Sequence, residues 1–128
     1  MASKQSFGSF IIKKRMEIQM TAREFSKRIN LSAVYICDIE KDRRAAPRAE
    51  ILDRMANALS LSGKDRDEFY DLAAESKNIV SEDLPEYIMK NNEVRQALRM
   101  SKDLDIDMKM WQDFMAQMRN REKTNQQP

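Results

Sequence analysis

"NLSAVYICDIEKD", residues Asn30 to Asp42, is a short helix that carries its own start signal. Ser32 is a good helix cap, and Leu31 and Ile36 stand at the spacing of a hydrophobic staple across it. Turning Ile36, Ile39 and the base of Glu40 inward leaves Ala33, Val34, Cys37, Asp38 and Lys41 on the opposite side, the i, i+1, i+4, i+5, i+8 pattern of an exposed face. The residues just before repeat the design. In "MTAREF", Thr21 caps a helix while Glu24, three residues on, reaches back to the Thr21 amide, and Met20 packs on Phe25. That helix, from Thr21 to about Ile29, stops at Asn30, which enters the left-handed conformation at modest cost. Two short helices joined by a tight turn are the expectation.

Working outward, the spacing of Phe7, Phe10, Ile11 and Ile18 predicts a helix over about 7–19 with Lys13 and Lys14 facing outward. The loop "KDRRAAP" leads to Pro47, which suits the opening of a fourth helix continued by Ile51, Leu52, Met55, Ala56 and Leu59. "SGKD", Ser62 to Asp65, reads as another cap, followed by Phe69, Leu72 and Ala73. Five helices would end near Lys77 and complete a small domain over 1–78. Beyond it, Pro85 opens a short helix, Asn91 and Asn92 interrupt it, and Val94 and Leu98 mark another. A last helix from about Asp107 carries Trp111, Phe114, Met115 and Met118 on one face. The helical segment is expected over 79–119, with a disordered polar tail over 120–128.

Composition points the same way. With two Gly and three Pro among 128 residues, and 34% charged residues, the chain is short of turn formers and rich in helix formers. An all-α fold follows. One cysteine forbids an internal disulfide, and with no histidine a zinc site would rest on carboxylates, so no metal and no cofactor are expected. No stretch approaches the roughly 18 apolar residues of a membrane span, and the first residues lack a signal peptide's apolar run, so no membrane partner and a cytoplasmic location are expected. With no Gly-rich phosphate loop and no Ser or Cys placed beside a base, the chain is not expected to be an enzyme.

Charge is divided along the chain. Met1 to Arg48 holds 11 Lys and Arg against 5 Asp and Glu, a surplus of +6, whereas the remainder holds 12 against 16, or −4. The amino-terminal third therefore attracts phosphates that the rest repels.

Two helices, a tight turn and a basic surrounding are the parts of a helix-turn-helix, whose second helix enters the DNA major groove. Residues 7 to 75 resemble the Xre/Cro/C1-type repressor family in detail. That family combines an Arg in helix one, a Thr-led second helix, a Ser-capped third helix ending in Ile-Glu, and a Pro-led fourth. "IIKKRMEIQMTAREFSKRINLSAVYICDIEKDRRAAP" has these in matching order. The resemblance implies a five-helix lambda-repressor-like domain that binds double-stranded DNA. It also implies that Thr21, Ala22 and Arg23 present a helix amino end to a phosphate, that Ser32, Ala33, Val34, Tyr35 and Asp38 face base edges, and that Arg15 and Glu40 form a structural ion pair. Lys41, Arg43 and Arg44 are expected to hold phosphates, which position without specifying. Asp38 either accepts from a cytosine amino group or pairs with a neighbouring cation.

The chain departs from the family's usual residues in three places. Ala22 stands where Gln is frequent, which puts a clamp between helix two and DNA in doubt. Asn30 stands where Gly is frequent but keeps the turn, and Cys37 replaces a small hydroxyl residue.

Proteins of this class bind as two-fold dimers. Trp111, Phe114, Met115 and Met118 either supply the dimer contact or fold back on the domain, and Trp and Met are interface-enriched types. The function implied is a sequence-specific repressor acting as a homodimer on a palindromic operator. The alternative is an antitoxin-type protein whose last helices grip a toxin. On layout alone, the chain also resembles repressors whose dimer segment is cut by a partner zinc metallopeptidase.

Overall fold

A computed structural model describes residues 5–126, which among themselves form eight α-helices and no strand. These are α1 (Phe7–Glu17), α2 (Ala22–Arg28), α3 (Ala33–Glu40), α4 (Ala49–Ala58), α5 (Gly63–Lys77), α6 (Pro85–Lys90), α7 (Asn92–Asp103) and α8 (Met108–Gln126). The chain divides into two compact units, Met1–Glu86 and Tyr87–Pro128.

The first unit is built on aromatic and branched side chains that the helical repeat brings to one side of each helix. Phe7, Phe10 and Ile11 of α1, Phe25 of α2, Ile36 and Ile39 of α3, Leu52 and Met55 of α4, and Phe69 of α5 form one buried cluster. Phe69 is its hub, with ring centroids 5.3 Å from Phe7, 6.3 Å from Phe10 and 5.4 Å from Tyr70. Truncating such a ring to Ala typically costs about 3–5 kcal/mol, a large share of a small domain's stability. The α1 helix packs on both α3 and α5, so α3 is held from behind by the core and its outer face is left open.

Six helices end by one device. Within two residues of each end comes a left-handed residue (Gln19, Asn30, Asp42, Ser60, Asn78 and Asp105, all with φ between 49° and 57°), and none of them is glycine. After α2 the Leu31 amide donates to the Ser26 carbonyl at 2.9 Å and the Asn30 amide to Lys27 at 3.2 Å, the paired bonds of a Schellman motif. The same pairs recur after α1, α3, α4, α5 and α7. A chain with two glycines thus makes its sharp turns at other residues, and each carries some steric cost.

Several expectations shift. Pro47 lies before the cap of α4, which is Arg48, because helical geometry begins only at Ala49. Ser62 caps α5 in position but makes no side-chain cap bond, and it is followed by Gly63 at φ 55°. Lys14 does not face outward: its ammonium lies 3.1 Å from Asp65 and 3.3 Å from Glu17, over the Phe10 ring. The bond to Asp65, above all, raises its pKa. The first unit runs past residue 78, since Ser81 is buried and donates to Asp71, and Lys77 pairs with Glu82 at 3.7 Å. The tail expected to be disordered from Asn120 instead continues α8 to Gln126, because no breaker interrupts its Arg, Glu, Lys and Gln. The last residues of that tail, 127 and 128, lie outside the described residues.

Candidate nucleic-acid interface

The amino end of α2 is closed by a reciprocal capping box. The Glu24 amide donates to Thr21 Oγ1 at 3.0 Å and the Thr21 amide to Glu24 Oε2 at 3.4 Å. The Thr21 amide is therefore occupied, and the amides of Ala22 and Arg23 head the helix without intrahelical acceptors. Ala22 is half-buried against the core, whereas Arg23 is exposed. At the other end, Arg54 of α4 donates to the Ile29 carbonyl at 2.8 Å, fixing the turn from outside.

Behind α3 lies a network of three anchors. Arg15 donates through Nε and Nη2 to the two Glu40 oxygens, both at 3.0 Å, and through Nη1 to the Met20 carbonyl at 2.9 Å. Glu40 is 8% exposed, so this two-pronged pair is shielded and its loss leaves a buried charge. The second anchor is a close approach: a Cβ on Gly8 would lie 2.4 Å from the Glu40 carbonyl oxygen and 2.6 Å from that of Ile39. Only glycine lets α1 press this near to the end of α3. The third is Asp42, whose carboxylate accepts from Ser6 Oγ at 2.7 Å and from the Gly8 amide at 3.0 Å. Its charge stands at the positive end of α1, where it is favourable.

The front of α3 is open. Ser32 accepts from the Tyr35 amide at 3.1 Å, which shapes the first turn, and Ser32, Ala33, Val34 and Lys41 are exposed, Val34 to 72%. Cys37 and Asp38 are half-buried. None of the ion pairs among the described residues uses Asp38, Arg23, Lys41, Arg43 or Arg44. Asp38 thus has no ion-pair partner among the described residues. Tyr35 is different from its neighbours: half-buried against the core, it carries the Arg44 guanidinium 4.8 Å from its ring centre.

Sequence reasoning missed Gly8, Asp42 and Arg54. One local signal existed, since a glycine in the first turn of a helix is costly unless something needs the space. No local signal marks Asp42 or Arg54, whose partners lie 34 and 25 residues away.

In the second unit no residue of α6 or α7 is fully buried. Trp111 is half-buried and meets Phe114 edge-on at 6.4 Å. With Tyr87, Val94, Leu98 and Met118 they line a groove of about 420 Å³. Phe114, Met115 and Met118 remain 50%, 44% and 49% exposed, and Met100, Leu104, Met108 and Met110 are more than half exposed. The second unit thus leaves a row of large apolar side chains open to solvent. Among the described residues no group of acidic or thiol side chains is placed to hold a metal ion, and no helix is long and apolar enough to cross a membrane.

Residues 11–65 match the family model of the helix-turn-helix domain. No curated protein and no solved structure matches the chain.

Proposed function

We propose that this chain, whose residues 11–65 match the helix-turn-helix family model, is a DNA-binding repressor of the Xre/Cro/C1 type that reads a palindromic operator as a homodimer. The observation that carries the reading is the contrast between the two sides of α3. Its rear is held by Arg15–Glu40, Gly8 and Asp42, while its front presents the exposed Ala33 and Val34, flanked by cations that form no ion pair among the described residues. A rigid helix with a free face can enter the major groove without first breaking internal bonds.

In this reading Ala33 and Val34 meet thymine methyl groups, and Asp38 accepts from a cytosine amino group. Thr21, Ala22, Arg23, Lys41, Arg43 and Arg44 hold phosphates along the flanks, with Ser32 setting the helix start. Trp111, Phe114, Met115 and Met118 join two copies, so that two weak half-site contacts act together. Selection of bound duplexes from random DNA tests this directly. The expected result is an inverted repeat with half-site centres about 10 base pairs apart or a multiple of that spacing. Affinity should fall steeply with salt. Binding that is weak for every sequence and flat with salt would overturn the reading.

The exposed face of the second unit also suits a toxin or a processing metallopeptidase as partner. Sedimentation of the purified chain separates these: a clean dimer favours the homodimer, and a monomer that co-purifies with a small operon-encoded protein favours the antitoxin role. Cleavage by a peptidase encoded beside the gene, with loss of operator binding, would mark the dimer segment as the point of inactivation.

A further inference from the structure

We propose that Tyr35 is a positioning residue for Arg44, holding its guanidinium beside the recognition helix for a DNA phosphate, and is not itself a base reader. The inference rests on the DNA-binding reading above. Three observations carry it. The guanidinium lies 4.8 Å from the centre of the Tyr35 ring. The ring is itself half-buried and packed against the hydrophobic cluster of the first unit. The backbone leading to Arg44 is pinned as well, because Asp42 is left-handed and bonded to Ser6 and Gly8, and the Arg43 amide donates to the Asp38 carbonyl at 2.8 Å.

Stacking and phosphate binding use different parts of a guanidinium. The contact with the ring is made by the charge centred on the guanidinium carbon, 4.8 Å from the ring centre, whereas the N–H donors around that carbon can still grip an anion. Arg44 has no carboxylate partner among the described residues, so its charge is not neutralised in advance. Arg48, by contrast, lies 3.6 Å from Glu50 with both side chains largely exposed. A stacked arginine loses less freedom on meeting a phosphate than one that swings in water, and the attraction to the ring persists because the cation sits over its negative face. The same contact occupies one face of Tyr35, so that face is not open to stack on a base. Sequence choice then falls to Ala33, Val34 and Asp38.

The test uses the full chain and the duplex that the wild type selects, with variants Tyr35→Phe, Tyr35→Leu, Arg44→Ala and the double Tyr35→Leu/Arg44→Ala. Tyr35→Phe is expected to bind as the wild type does, since it keeps the ring. Tyr35→Leu should bind about twofold to tenfold more weakly, the range for ordering one long side chain on binding, with base preferences unchanged. Arg44→Ala should lower the salt slope by about 0.9, one phosphate contact, and adding Tyr35→Leu to it should change nothing further. In spectra of the free protein the Arg44 δ-methylene protons should be shifted upfield by the ring in the wild type and in Tyr35→Phe, and return to ordinary positions in Tyr35→Leu. The proposal is overturned if Tyr35→Leu weakens binding equally with and without Arg44, if Tyr35→Phe relaxes the preference at one base pair, or if the upfield shift is missing. A wild type that binds no duplex would overturn the DNA-binding reading and this one together. A wild type that binds while Tyr35→Leu leaves affinity unaltered overturns this one alone.

Discussion

Val34, 72% exposed at the front of α3, offers DNA a branched hydrocarbon and nothing that can form a hydrogen bond. The thymine methyl is the one apolar group on a base edge in the major groove, so deoxyuridine in place of thymidine is the sharpest probe of this residue. Replacing the contacted thymidine should weaken wild-type binding about fourfold, the worth of one buried methyl-sized group at ~0.8 kcal/mol, and should leave Val34→Ser unaffected. Equal loss in both proteins would place the methyl contact elsewhere. Gly8 poses the opposite question, of space and not of chemistry. Gly8→Ala should lower stability by about 1–3 kcal/mol in denaturant titration, because its Cβ would meet two carbonyl oxygens of α3 well inside contact distance. The better helix propensity of Ala, about 1 kcal/mol, does not offset that. Tyr70 shows what burial does to an acid: desolvation first, then its bond to Asp53, raises its pKa to about 12. The folded state therefore holds this proton more tightly than the unfolded chain, so the linked stability is complete below pH 10 and is lost as pH climbs toward 12. In Tyr70→Phe the alkaline fall in melting temperature across that window should be shallower than in the wild type.

At the scale of the element, what distinguishes this protein is how its helices stop. Gln19 and Ser60 hold left-handed conformations, with φ of 56° and 57°, that glycine would adopt without strain. Gln19→Gly and Ser60→Gly are expected to raise stability by about 1 kcal/mol each, read as a shift in denaturation midpoint at unchanged slope. Asn30→Gly should give less, since asparagine already tolerates this region. The turn at Asn30 and the capping box at Thr21 and Glu24 were both readable from the sequence, because each bond spans only a few residues. The left-handed Gln19 and Ser60 were not. Neither residue type prefers that conformation, and the Schellman bonds that compensate appear only once the helices are built.

At the scale of the whole molecule, the first unit has a closed aromatic core and the second exposes its apolar residues. If two copies join through that face as proposed, placing a charge on it, as in Phe114→Lys, shifts the sedimenting species from dimer to monomer. Operator affinity should fall by at least tenfold, with binding to an isolated half-site unchanged. If Phe114→Lys stays dimeric at the same concentration, two copies meet through another surface. The four-residue apolar face was legible from helical spacing alone. The groove that Trp111 and Phe114 make with Val94 and Leu98 was not, since it depends on how α7 and α8 meet within the unit.

The sequence by itself determined the all-helical class, the helix starts at Thr21 and Ser32, the reversal at Asn30 and the side of α3 that turns to the core. These depend on side-chain period and on bonds between near neighbours, which any short segment carries within itself. Tertiary structure decided which polar groups meet across the chain. It drew Lys14 away from solvent to Asp65, brought Asp42 to the amino end of α1, set Arg54 on the end of α2 and laid Arg44 on Tyr35. Those pairs lie between 9 and 51 residues apart in the chain, and the partner each charge finds is set by the packing of Phe69 and its neighbours, not by the residues beside it.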